Sequence, residues 1–259
     1  MHAMVNIALR AARDAAEVLA QSVDRLDRIT IVEDSPNSFV TSVHKDADRS
    51  ILFHLQKSFP QHSFLSRISG HQQGAEGQPV WLIDPLLGGR NFSRGYTTFA
   101  VSIACQVEGK LAHAVLIDPI KDEEYSASRG DGAYLNSRRL RVSKRDDLKG
   151  GVVALPGQIN AQTLANYQSI LRDVQAAGAD WRSSGCGGLD LVHTAAARLD
   201  AGWLVNPGKT SIAAATLILQ EAGGLVSDAQ GRPDFFDSEF LIFGNPKCFR
   251  QLIKCCKTS

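Results

Sequence analysis

Trp81-Leu-Ile-Asp-Pro-Leu-Leu-Gly-Gly-Arg-Asn-Phe92, followed by Phe99-Ala-Val-Ser-Ile-Ala104, decides how this chain is read. Val80 to Ile83 is a short apolar run bounded by turn residues, which predicts a buried strand ending at Asp84-Pro85. Such a strand delivers one carboxylate, Asp84, to its C-terminal end. The Gly88-Gly89 turn behind it places backbone N–H groups where they can face an anion. Phe99 to Ala104 predicts a neighbouring strand, and Ala112 to Ile117 with Glu124 to Ala127 continue a strand-rich region.

Outward from this stretch the period changes. Ala3 to Leu26 carries Ile7, Ala11, Ala15, Val18, Leu19 and Val23 near helical spacing, with charged residues between them, and predicts an amphipathic helix. A second helix is expected over Ser42 to Ser58, closed by Pro60. After Gly150 strands are expected at Val152 to Leu155, Leu225 to Ser227 and Phe240 to Phe243. Helices are expected over Gln162 to Ala177, Leu189 to Leu199 and Ser211 to Ala222, with a terminal helix opening at Pro246. Mixed strands and helices with no linker or repeat predict a layered α/β or α+β unit over 1–259, in two tightly joined halves, 1–150 and 151–259.

The 259 residues carry 28 Lys+Arg against 27 Asp+Glu, so the total charge makes no case for a nucleic-acid partner. The basic run Arg138 to Arg141 with Lys144-Arg145 runs straight into Asp146-Asp147 and reads as a solvated loop. No stretch of about 18 uncharged apolar residues predicts a membrane span. Arg10, Arg13 and Asp14 come too early for an apolar export signal. Cys105, Cys186, Cys248, Cys255 and Cys256 have no metal-ligand spacing, and an odd count points to free thiols in a reducing, cytoplasmic setting.

The stretch around Asp84 resembles the signature Asp-Pro-(Ile/Leu)-Asp-Gly-Thr-Thr-Asn-Phe of the inositol monophosphatase family. The opening Met1-His-Ala-Met-Val-Asn-Ile-Ala-Leu-Arg-Ala-Ala-Arg13, Pro60-Gln-His62, Gly185 to Leu191, Ala195 to Asp200, Glu221 to Gly224, Asp228 and Gly244-Asn-Pro246 extend the likeness over nearly the whole chain. These landmarks look like the bacterial SuhB-type branch. The resemblance implies a five-layer αβαβα sandwich, a homodimer, and hydrolysis of small phosphate monoesters with Mg²⁺ held by carboxylates.

Residue by residue, the carboxylates that the resemblance implies are missing. Asp84 matches the first signature aspartate, while the second falls on Leu87. The two threonines fall on Gly89 and Arg90. The Glu-Glu-Ser motif falls on Arg67-Ile68-Ser69, and the aspartate of Val-Thr-x-x-Asp falls on His44. The late metal-binding aspartate falls on Ser211, and the glutamate that touches the ring in the family on Leu204. A guanidinium in place of a carboxylate changes the local field by several kcal/mol at about 4 Å and an effective dielectric near 20. Asp84 alone is expected to hold Mg²⁺ weakly at most, so no cofactor is expected.

The expectation is a pseudophosphatase with a regulatory or interaction role. The SuhB-type resemblance implies a partner in the transcription machinery. Two alternatives stay open. One is a metal-independent binder of a phosphorylated or sulfated small molecule, using Arg67, Arg90 and the Gly88-Gly89 amides. The other is a weak Mg²⁺-dependent phosphomonoesterase on inositol phosphate or a related monoester. Arg67 and Arg90 are also read as ion-pair partners that fill the emptied site against Asp84. His44 is read as a hydrogen-bonded spacer, and Ser211 and Cys186 as small polar residues without a general base.

Overall fold

The computed structural model describes residues 2–257, apart from 36, 37, 158, 160–162 and 237. It opens on α1 (Ala3–Val23), then a hairpin of β1 (Ile31–Ser35) and β2 (Ser38–Thr41), then α2 (Ser42–Ser58). Next come β3 (Ser63–Ser66), β4 (Gly70–Gln72), β5 (Val80–Leu87) and one helical turn, α3 (Gly89–Phe92). Strands β6 (Ala100–Val107), β7 (Lys110–Asp118), β8 (Glu123–Ser128), β9 (Gly132–Leu135) and β10 (Arg138–Arg139) follow. The remainder is β11 (Val152–Ala154), α4 (Leu164–Ala176), β12 (Asp180–Arg182), α5 (Gly187–Ala195), β13 (Ala201–Val205), α6 (Lys209–Glu221), β14 (Leu225–Ser227), β15 (Phe240–Gly244) and α7 (Pro246–Lys257).

The strands form two large sheets. One has the order β10-β9-β8-β7-β6-β5-β3-β4, antiparallel except for the parallel β3–β5 pair; the other has the order β12-β11-β13-β15-β14. Three apolar clusters separate five layers. Ala11, Leu19, Ile51 and Leu55 of α1 and α2 bury against Trp81, Ile83, Val101 and Val115 on one face of the first sheet. The opposite face, with Leu82, Ala104 and Leu116, packs on Leu189, Val192, Ala213 and Leu217 of α5 and α6. Beyond the second sheet, Val174 of α4 and Leu252 of α7 pack on Trp203 and Ile242. The αβαβα order therefore follows from alternation: each sheet carries apolar side chains on both faces, and each face needs a helical cover.

Several boundaries differ from the sequence reading. α1 stops at Val23, and Leu26–Arg28 is a separate 3-10 turn. β5 does not end at Asp84-Pro85 but runs to Leu87, with its register against β6 broken between Asp84 and Leu87. Proline has no N–H for the ladder, so the irregularity is where it is tolerated. The expected helix start at Gln162 and the opening Met1 lie outside the described residues. The β1–β2 hairpin and β13 are absent from the sequence reading because neither shows a clean period.

Candidate functional site

Four chain segments meet at the C-terminal end of β5: the end of β3, the start of α2, the start of α5 and the start of α6. They surround an open cleft of about 450 Å³, lined in part by Arg67, Asp84, Gly89, Cys186, Leu204 and Ser211. The strand end presents Asp84, which is 1% exposed. Arg67, one residue past β3, donates from Nε to Asp84 Oδ1 at 2.9 Å and from Nη2 to the Leu86 carbonyl at 3.3 Å. Ser211, in the first turn of α6, donates to Asp84 Oδ2 at 2.5 Å, and the Leu86 N–H adds a 3.3 Å contact to Oδ1. Both oxygens of the carboxylate are thus taken by groups of this chain.

His44 sits in the first turn of α2 and is fully buried. Its Nδ1 accepts from the Thr41 N–H at 3.0 Å and lies 2.9 Å from the Thr41 hydroxyl, closing a capping box at the helix start. Accepting at Nδ1 leaves the proton on Nε2, which has no hydrogen-bond partner among the described residues. Burial, reinforced by repulsion from Arg67, pushes the ring's pKa down to about 4. His44 is accordingly a neutral cap at neutral pH.

Three of the positions that the sequence reading set against family carboxylates are packed onto glycines. A Cβ on Gly89 would lie 2.6 Å from His44 Nε2, one on Gly188 2.5 Å from Leu87 Cδ1, and one on Gly187 2.6 Å from Leu204 Cδ1. Each distance is too short for any side chain larger than hydrogen, so the larger residue and its glycine fit as a pair. Leu87 and Leu204 are 5% and 7% exposed and merge with the layer between the sheets.

Arg90 is not where the sequence reading put it. Its guanidinium pairs with Asp34 at 2.9 Å, donates to the Ser35 carbonyl at 2.7 Å and covers the Phe39 ring at 4.9 Å. It fastens the β1–β2 hairpin to α3 and contributes no contact to Asp84. The expected pair of arginines on Asp84 reduces to Arg67. Ile68 follows Arg67 and donates its N–H to the Ser66 hydroxyl at 3.0 Å. Gly88 takes a left-handed φ of 75°, and a Cβ there would meet the Thr98 carbonyl at 2.6 Å. Cys186 is buried, and burial pushes its thiol pKa up, away from a nucleophilic thiolate.

Asp48 escaped the sequence reading. It lies one helical turn beyond His44, is 2% exposed and accepts a short hydrogen bond from Ser66. Desolvation raises its pKa, with Asp84 acting in the same direction and Arg67 against it. The i, i+4 spacing with His44 was the available signal. Even with Asp48, no group of three His, Cys, Asp or Glu among the described residues is arranged to hold a metal ion. Hard cations such as Mg²⁺ need several oxygen ligands, and the donor set here does not supply them.

Residues 1–256 match the model of the Inositol monophosphatase family. A protein named Nus factor SuhB from Pseudomonas aeruginosa is 43% identical over 258 residues, covering 98% of this chain and 95% of the relative. The protein of the same name from Escherichia coli is 37% identical over 254 residues, with the same coverage. The crystal structure of extragenic suppressor protein suhB from Bartonella henselae superposes with a TM-score of 0.96 at 33% identity, covering 100% of both chains. An inositol monophosphatase from Anabaena gives a TM-score of 0.86 at 25% identity, covering 98% of this chain and 95% of that one.

Proposed function

Because the chain belongs to the inositol monophosphatase family, we propose that it is a catalytically silent SuhB-like member that works through protein contacts. The observation that carries this reading is the placement of Arg67. Its guanidinium donates to Asp84 Oδ1 and to the Leu86 carbonyl, two oxygens that would otherwise be free to take a cation. Ser211 holds the other Asp84 oxygen. The residues do not fit Mg²⁺, and no hydrolytic step runs through it here.

The packing supports the same reading. His44 packs on Gly89, Leu87 on Gly188 and Leu204 on Gly187, so a different side chain at any of these positions would have to fit against a close glycine neighbour. A buried aspartate at 87 would have to be desolvated among the side chains of the inter-sheet layer, without ligands to stabilise it. The interaction role draws on the relatives named Nus factor SuhB, which make the transcription machinery the place to look for a partner. A homodimer in a reducing compartment belongs to the same proposal; no two of the described cysteines form a disulfide.

A second reading keeps one specific observation. The Arg67 side chain remains 26% exposed and lines the cleft beside Gly88 and Gly89. A phosphorylated or sulfated small molecule would meet Arg67 there, with Arg90 lining the same cleft while paired to Asp34.

The deciding experiment is phosphate release from inositol 1-phosphate with and without Mg²⁺, read against the Asp84→Asn variant. No Mg²⁺-dependent release is expected. Turnover that requires Mg²⁺ and disappears in Asp84→Asn overturns the silent-enzyme reading. Affinity capture with purified transcription elongation factors tests the partner, and that part is lost if none is retained.

A further inference from the structure

We propose that the cleft around Arg67 is the recognition site for the protein partner. Its occupant is a partner segment that presents one carboxylate side chain, of aspartate or glutamate, next to an aliphatic one. The inference rests on the reading that this chain works through protein contacts, and it names where such a contact is made and by what chemistry. At about 450 Å³ the cleft is far larger than an inorganic anion and lies within the range of ligand-sized sites.

Charge selects the carboxylate. Arg67, Asp84 and Arg90 are the charged side chains that line the cleft. Asp84 is buried with both oxygens engaged, while the Arg67 and Arg90 side chains stay 26% and 43% exposed, so the accessible charge is cationic. A guanidinium carries five N–H donors. Arg67 directs Nε at Asp84 and one Nη2 hydrogen at the Leu86 carbonyl, which leaves three donors without a partner among the described residues. A carboxylate accepts two such donors side by side. Because Arg67 already holds Asp84, a dianionic phosphate would sit one guanidinium away from a second negative charge. A single carboxylate meets less of that repulsion.

The rest of the lining selects the neighbouring side chain. Leu204, Val205 and Ile212 form an apolar wall, and the Phe39 ring beneath Arg90 adds an aromatic one. An anion alone leaves this wall in water, whereas an aliphatic side chain beside the carboxylate covers it. Exposed apolar surface also continues past the cleft. Arg90 bonds Asp34 and the Ser35 carbonyl of β1, and that strand, half of a two-stranded sheet, exposes Ile31 and Val32. The exposed Tyr96 donates its N–H to the carbonyl of Asn91, a residue of the cleft lining. Arginine and aromatic side chains around an apolar centre are the composition of a protein interface. The surface extends beyond what a small molecule in the cleft would cover, and a protein segment reaches both parts.

The test is selection from a display library of short random peptides against the full chain. Enriched peptides are expected to carry Asp or Glu next to Leu, Ile or Val. Their binding should weaken about tenfold or more in Arg67→Gln, the loss of one hydrogen-bonded charge, and about threefold in Arg90→Ala, the size of an exposed ion pair. On the native chain an enriched peptide should shift the amide NMR signals of residues 88–91 and 185–188, a readout that stands even if Arg67→Gln fails to fold. No enrichment, enrichment without a carboxylate, or shifts confined to the α1–α2 face overturns the proposal. Elongation factors retained equally by the native chain and by Arg67→Gln also overturn it, while leaving the partner reading intact. Acidic–aliphatic enrichment with no factor retained has the opposite result: the cleft keeps this role and the transcription partner is lost.

Discussion

Leu87 Cδ1 occupies the space that a Cβ on Gly188 would need, 2.5 Å from where that carbon would sit. The glycine is the second residue of α5 and the leucine closes β5, so the pair joins two layers at the floor of the cleft. Gly188→Ala is expected to cost about 1–3 kcal/mol through overpacking, more than the roughly 1 kcal/mol that alanine adds to helix stability. In a Leu87→Ala background the same change should cost less, because the 2.5 Å contact is gone and the nearest remaining one is the Ser211 carbonyl at 3.3 Å. Urea unfolding of the four proteins gives the cycle, and additive effects would show that the two residues do not share this space.

Arg67 and Asp84 form the polar lock above that floor. Arg67→Met removes the partner of a carboxylate that is 1% exposed and is expected to cost about 2–3 kcal/mol. Arg67→Lys should cost less, since the charge remains while the paired contacts to Asp84 and Leu86 are lost. Chemical denaturation at neutral pH measures both.

Magnesium should leave the native protein indifferent. Equal thermal midpoints in Mg²⁺ and in a chelator are expected, since a ligand stabilises only what it binds. The combined variant Arg67→Glu, Leu87→Asp, Ser211→Asp rebuilds an acidic set around Asp84 and should gain a Mg²⁺-dependent rise in midpoint. A wild-type midpoint that climbs with Mg²⁺ would count against the locked site.

His44 gives the protein an acid-sensitive element. Its folded pKa of about 4 lies below the ordinary histidine value of 6.5, so the unfolded chain takes up the proton first. Stability from this residue is therefore full above pH 6.5, falls as the pH drops, and is gone below about 4, a total of about 3 kcal/mol. His44→Gln keeps an acceptor for the Thr41 N–H and cannot titrate, so its stability should be flatter across that window. His193, also pushed down to about 4, is present in both proteins and cancels in the difference.

Arg90→Ala should loosen the hairpin without unfolding the molecule. Arg90 is 43% exposed in its pair with Asp34, which limits the stability loss to about 1 kcal/mol. Hydrogen exchange should speed up at Ile31–Ser35 and stay unchanged in β5–β7. Unchanged exchange in β1 would show that Phe39 and the backbone suffice to hold the hairpin.

The layered architecture was legible because the apolar runs at Val80–Ile83 and Phe99–Ala104 and the amphipathic spacing of Ala3–Leu26 each have one reading. The residues set against the family's carboxylates were legible for a simpler reason: a side chain's charge is written in its identity. Arg90 was misplaced because its guanidinium reaches Asp34 and Ser35, whose position depends on a hairpin with no clear period. The pairing of Gly187 with Leu204 and of Gly188 with Leu87 could not be read from spacing, since it joins residues that only the folded layers bring together. Asp48 was missed because its partner Ser66 belongs to another element.

Arg67 is a cation on a tether. Its local concentration is set by a side chain and not by the solution, so chelation, dilution or competition from other metals cannot remove it. Guanidinium also stays charged across the accessible pH range. A surface organised around such a group keeps the same shape and charge whatever the ionic state of the cell. Whatever binds at that surface then meets a constant face, where a metal-loaded cleft would have offered one that fills and empties.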